Sequence, residues 1–171
     1  ERQRILLEPR GSYKSTLGVE CYVPWRILHD PNIKIVVGSE TSKIAETSLR
    51  LIKTHFEAEW FQAIYGNLVN RKQWRADSIT VSTRTVDTRD PTIQMLSPDQ
   101  AFTGIHPDLI VFDDLVGRSN AWSEDMRQKV REFVAAVIAC RLPHTEIVLL
   151  GTRWHLDDAY GTVLGAFADG E

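Results

Sequence analysis

Lys14, Ser15 and Thr16 follow a compact turn containing Pro9 and Gly11, and that turn follows the apolar run Ile5-Leu6-Leu7. A buried strand, a tight loop and a helix start, in that order, make a cradle for phosphate. Loop N–H groups and the helix N-terminus attract an anion, the Lys reaches the outer phosphates, and the next hydroxyl can hold Mg²⁺. The common spacing of such a loop, G-x-x-x-x-G-K-[ST], would put Gly at positions 8 and 13, where this chain has Glu8 and Tyr13. Taken alone, the stretch also fits a plain surface helix start.

A second constellation is Leu109-Ile110-Val111-Phe112-Asp113-Asp114, an apolar run that stops at paired acids. Mg²⁺ wants six hard oxygen ligands, which one serine hydroxyl and phosphate oxygens do not supply. Asp113, at the end of the run, suits a Mg²⁺ ligand. Asp114 is then placed to orient and polarise a water for attack on a terminal phosphate. Paired acids after a strand also begin ordinary surface loops; the upstream loop is what favours the metal reading. A third stretch, Gly151-Thr152-Arg153-Trp154-His155, again follows an apolar run. A polar residue here can sense the terminal phosphate, while Trp154 and His155 fit plain packing. Arg71-Lys72-Gln73-Trp74-Arg75, with Arg84 and Arg89, is locally basic. It suits a DNA backbone or a neighbouring subunit's phosphate, and equally a solvated hairpin. Nothing else has the spacing of a zinc site or a nucleophilic triad.

The elements that must position these residues alternate. Strands are expected at 5–7, 33–39, 109–112 and 146–152. Helices are expected at 15–29, with a kink at Pro24 and Leu17 and Cys21 buried, and from Thr41 or Ser42 to about Tyr65, with Ile44 and Leu51 near the buried face. Two more are expected, one capped by Ser123 with Met126 on its apolar face, and one from Asp157 through Phe167. The segments 78–83 and 92–96 read as an antiparallel hairpin. Strands this apolar between helices imply a mostly parallel sheet covered on both faces. Its ligands bind beyond the carboxyl ends of the strands, where the loop at 8–16, Ser39, Asp113-Asp114 and Thr152 all fall.

With 171 residues, the chain suits one domain, 1–171, with a real core. A net charge of −3 does not announce a nucleic-acid binder, and the two cysteines suggest a reduced, intracellular setting. No apolar run approaches a membrane span.

Together, Pro9-Arg10-Gly11-Ser12-Tyr13-Lys14-Ser15-Thr16, Gly104-Ile105-His106-Pro107 running into Asp113-Asp114, and Gly151-Thr152-Arg153-Trp154-His155 resemble the ATPase domain of the large terminase subunit of tailed bacteriophages. The resemblance spans nearly the whole chain. It implies a RecA-like P-loop NTPase fold of the ASCE type with a β-hairpin insertion, excised from a longer chain and without the nuclease domain. It implies Mg²⁺-dependent ATP hydrolysis that drives double-stranded DNA into a procapsid. By motif match, Lys14 and Ser15 bind phosphate and Mg²⁺, with Pro9 through Thr16 as the nucleotide loop. Arg10, which matches an early loop Arg of the family, senses the γ-phosphate. Asp113 holds Mg²⁺, Asp114 stands where the family more often has a catalytic Glu, and Gly151 and Thr152 belong to the coupling motif. The implied partners are DNA, portal protein and procapsid, and the small terminase subunit. The chain would act as a ring when active and as a monomer in isolation, in the host cytoplasm, with no membrane. Arg84, Arg89, Arg118 and Arg153 are candidates for a trans-acting arginine. The alternatives are a helicase-like P-loop translocase and a nucleotide-binding assembly module inactive in isolation.

Overall fold

Strands without a polar residue inside them cannot lie against water on either side, so the sheet they form must be the middle layer. In the computed structural model, which describes residues 3–100 and 104–168, that is the arrangement for the central strands. The run at 5–7, expected to be buried, instead lies in an edge strand with Leu6 43% exposed, because only one side of it has a strand neighbour. The elements are β1 (Gln3–Leu7), a π-helical segment (Thr16–Cys21) continuing into α1 (Tyr22–His29), β2 (Ile35–Ser39), α2 (Ser42–Glu57), α3 (Glu59–Tyr65), β3 (Ser78–Ile79), β4 (Ile93–Leu96), β5 (Leu109–Asp113), α4 (Glu124–Ala139), β6 (Glu146–Gly151) and α5 (Ala159–Ala168). The strands form one six-stranded sheet in the order β1-β6-β5-β2-β4-β3. All neighbours pair in parallel except β3, which runs antiparallel to β4.

Alternation along the strands sorts the core into two layers. Val37, Leu109, Val111, Val148 and Leu150 face the π-helical segment, α1, α2 and α3 through Val19, Val23, Ile27, Leu49, Ile52 and Phe56. Val36, Ile110, Phe112, Ile147 and Leu149 face α4 and α5 through Val130, Phe133, Val134, Val137 and Tyr160. The register leaves four parallel strands ending level: Leu7 opposite Gly151, Leu150 opposite Asp113, and Asp113 opposite Ser39. That row of strand ends is the floor of the site.

Several expected features differ. The hairpin is not an insertion: β4 joins the parallel sheet beside β2, and β3 is its edge. Only Ser78–Ile79 is strand, because Thr92 Oγ1 takes the N–H of Val81 in place of a ladder partner. The first helix does not bury Leu17 or Cys21, which are exposed. A π turn holds more residues than an α turn, so it rotates the face, and Val19, Val23 and Ile27 enter the core instead. Pro24, which removes an i→i−4 bond, sits just past this segment. The second helix breaks at Ala58, whose backbone is extended. Its buried face is Ala45, Leu49, Ile52 and Phe56, with Ile44 and Leu51 exposed. Thr41 caps it by accepting from the N–H of Ile44. Ser123 occupies the N-cap of α4 without a side-chain capping bond, and Met126 is exposed. The side chain of Phe167 lies outside the described residues.

Gly151 closes the last strand against α5. A Cβ there would lie 2.3 Å from Cζ of the fully buried Tyr160 ring. Overpacking a rigid ring costs about 1–3 kcal/mol. Gly151→Ala is therefore expected to lower stability by that amount in urea unfolding; an unchanged midpoint would mean that the ring moves aside freely.

Candidate active site at the carboxyl edge of the sheet

The loop after β1 rises from the sheet and is tied to its neighbour at the base. The N–H of Glu8 donates to the carbonyl of Gly151 at 3.0 Å, and Thr152 Oγ1 donates to the carbonyl of Glu8 at 2.8 Å. Both predicted coupling residues thus grip the foot of the loop. Higher up, Gly11 has φ +84° and Tyr13 has φ +59°. Left-handed residues in such a loop turn N–H groups inward, making a concave anion site. An aromatic residue pays a steric penalty for that backbone, and glycine does not. Tyr13 therefore adopts the conformation for which the common spacing uses Gly, with its side chain 74% exposed. Ser12 Oγ is buried in the loop without a protein partner.

The helix that follows delivers the two central contacts. Lys14, only 6% exposed, places its ammonium 3.1 Å from Asp114 Oδ2. Ser15 Oγ donates to Asp113 Oδ1 at 2.8 Å. Lys14, Ser15, Asp113, Asp114 and Thr152 thus stand at one edge, although β6 separates β1 from β5. Thr16 opens the π-helical segment and Pro9 begins the turn. Asp114 has φ +44° and is held to the sheet by its N–H on the carbonyl of Leu150. Among the described residues, Tyr13 and Asp114 are the two non-glycine positions with positive φ, and both lie here. Arg10 is not turned toward the acids: its guanidinium stacks 4.7 Å above the ring of Trp154.

Burial raises the Asp113 carboxyl to about 6. The Ser15 hydrogen bond opposes this and the neighbouring Asp114 charge adds to it. Beside Asp113 in the ladder is Ser39, fully buried, its Oγ without a protein partner. Asp114 Oδ1 is likewise unpartnered. Buried polar oxygens left unsatisfied are costly, and a hard cation with its waters would satisfy them. Among the described residues no three His, Cys, Asp or Glu side chains form a metal cage. The donor set of Ser15 and Asp113 fits Mg²⁺ as a phosphate-bound ion, which takes its remaining ligands from phosphate and water.

Two residues behind the site carried no local signal. Asp158, fully buried, accepts from the N–H groups of Trp154, His155 and Gly161 and pairs with Arg153 Nε at 3.3 Å. It shapes the loop after β6; the pattern that could have revealed it is an acid just before the first residue of α5. The Tyr160 hydroxyl donates to the carbonyl of Leu150 and accepts from the N–H of Val116, bracing the loop after Asp114. Burial holds its pKa far above the usual value.

Among the arginine candidates, Arg84 is engaged with the carbonyls of Ile33 and Asp90, and Arg153 with Asp158 and the carbonyls of His155 and Leu156. Arg89 and Arg118 are exposed. In the basic stretch, Trp74 donates to Glu57 and packs near Phe56, while Arg71, Lys72 and Arg75 stand in solvent. No helix among the described residues is long and apolar enough to cross a membrane. No protein-family model matches the chain, and no curated protein matches it significantly in sequence.

The raised Asp113 carboxyl has a consequence for stability. A folded-state value above the ordinary 3.8 means that the folded chain holds this proton more tightly than the unfolded chain. Its contribution is most favourable below the ordinary value and is lost as pH rises to about 6. Asp113→Asn is expected to stabilise the nucleotide-free protein at pH 8 by on the order of 1–3 kcal/mol and to leave it nearly unchanged at pH 4. Thermal unfolding at the two pH values checks this; equal effects at both would contradict it.

Proposed function

We propose that this chain is a Mg²⁺-dependent ATPase of the RecA-like P-loop class, acting as the motor domain of a viral DNA-packaging machine similar to the large terminase subunit. The observation that carries the reading is the double contact across β6, with Lys14 on Asp114 and Ser15 on Asp113. A lysine and a hydroxyl at the start of a helix, facing paired acids two strands away, is an arrangement suited to a nucleotide triphosphate with its metal.

In this reading the N–H groups of residues 10–16 receive the phosphates and Lys14 leaves Asp114 to bind them. Ser15 and Asp113 would hold Mg²⁺, which neutralises charge on the phosphates. Lys14's departure frees Asp114 beside the terminal phosphate to position the attacking water. Arg10, released from Trp154, would reach the γ-phosphate. The bond from Thr152 to the foot of the loop gives a change at the phosphates a direct path into the loop after β6. Double-stranded DNA, portal protein, procapsid and the small terminase subunit are the proposed partners, in a ring assembled in the host cytoplasm.

Steady-state hydrolysis with Mg²⁺ and ATP tests the reading, with portal-bearing procapsids and DNA present. Lys14→Ala and Asp114→Asn are each expected to lower kcat/KM by on the order of 10²-fold or more. Turnover unchanged by both substitutions would contradict the assignment. Stimulation by free single strands, without dependence on procapsids, would point instead to a helicase-like translocase.

A further inference from the structure

β2 ends level with β5, and the residue that follows Ser39 is Glu40. We propose that Glu40 is a further catalytic carboxylate of this site, reaching the terminal phosphate from the end of β2 and accepting the proton of the attacking water. The proposal rests on the ATPase reading above.

Three independent observations lead to Glu40. The first is the space made for it. Gly117, in the loop after Asp114, has no side chain where the Glu40 carboxylate lies; a Cβ there would meet that carboxylate, with Oε1 and Cδ each 2.5 Å away. The loop is folded to admit a carboxylate, and its shape is fixed internally. The N–H of Gly117 donates to Asn120 Oδ1, and Asn120 Nδ2 donates to the carbonyl of Leu115. The second is how the carboxylate is held. Ser119 Oγ donates to Glu40 Oε1, and among the described residues no Lys, Arg or His forms an ion pair with it. A neutral donor orients a carboxylate without neutralising it, which keeps it available as a base. The third is register: Ser39 pairs with Asp113 at the ends of two adjacent parallel strands, so Glu40, the next residue, stands beside Asp114 at the carboxyl edge of the sheet.

Asp114 is differently placed. Its Oδ2 serves Lys14 until phosphate draws the lysine away, and its left-handed backbone and short side chain then limit it to orienting the water while Glu40 takes the proton. Glutamate is one methylene longer and starts one strand further along the edge. The step balances as follows. The water oxygen bonds to the γ-phosphorus, and the bond from that phosphorus to the β–γ bridging oxygen breaks, its electron pair staying on ADP. One water proton stays on the released phosphate; the other passes to Glu40 and then to solvent.

The test compares wild type, Glu40→Gln and Gly117→Ala, with thermal unfolding as a control for folding. Glutamine still accepts from Ser119, so only the charge is lost. Glu40→Gln is expected to lower kcat by on the order of 10²-fold, the usual worth of a general base, with KM unchanged. Asp114→Asn, which also frees Lys14 from its ion pair, should lower KM as well as kcat. Affinity for Mg-ADP with aluminium fluoride should fall about tenfold or more in Glu40→Gln, while affinity for Mg-ADP alone stays at the wild-type value. Gly117→Ala, whose methyl takes the carboxylate's space, should reproduce both effects. Wild type that binds no Mg-nucleotide overturns the ATPase reading and this proposal with it. Wild type that binds and prefers the fluoride complex, while Glu40→Gln matches it in both kcat and affinities, overturns the Glu40 assignment alone.

Discussion

Burying the carboxylate of Asp113 costs free energy that the protein's own atoms recover only in part. It is 4% exposed, and one serine hydroxyl is its described side-chain hydrogen-bond donor. A charge in that position pulls its pKa up and asks for a cation. The surrounding geometry follows from this demand. Ser15 must come from the first turn of a helix, which fixes how the loop after β1 crosses the strand ends. Lys14 is then carried into near-complete burial, where an ammonium needs an anion, and Asp114 is the anion in reach. The two contacts join elements that are far apart in sequence and separated by β6 in the sheet.

Strain and support are distributed accordingly. Tyr13 and Asp114 both hold left-handed backbones at the point where loop meets acid. Such conformations persist only where their surroundings over-determine them. Here Asp114 is fixed by the carbonyl of Leu150, and Leu150 is in turn braced by the Tyr160 hydroxyl. Asp158 organises the turn into α5 and so holds Tyr160 in place. A polar shell on one sheet edge is thereby anchored in the apolar layer formed by α4 and α5.

The candidate site residues were legible in sequence because Asp113, Asp114 and Thr152 directly follow apolar runs and Lys14 and Ser15 follow the tight turn after one. Strand ends are marked locally, and parallel pairing forces those ends to one edge. Lys14, Ser15, Asp113, Asp114 and Thr152 were found that way. The helical faces were less legible. A single π-helical segment turned Leu17 and Cys21 outward, since periodicity arguments assume 3.6 residues per turn. Ile44 and Leu51 were misplaced for a plainer reason: Ala45 and Leu49 define a face one step round from theirs. The early end of β3 comes from Thr92 taking the N–H of Val81, a contact with no local pattern. Asp158 and Glu40 carry no local pattern, because what singles them out is the loops packed onto them. The common spacing counted Tyr13 as a departure; only its backbone angle reveals that it does glycine's work.

Ser15 and Asp113 are proposed as the protein ligands of a metal ion whose remaining positions are filled by phosphate and water. Electron paramagnetic resonance of Mn²⁺, used in place of Mg²⁺, measures this directly. The account predicts that wild type immobilises Mn²⁺ only with a non-hydrolysable ATP analogue, and that Ser15→Ala and Asp113→Asn each abolish the bound signal while the fold survives. Mn²⁺ bound equally well by both variants, or bound without nucleotide, would contradict it.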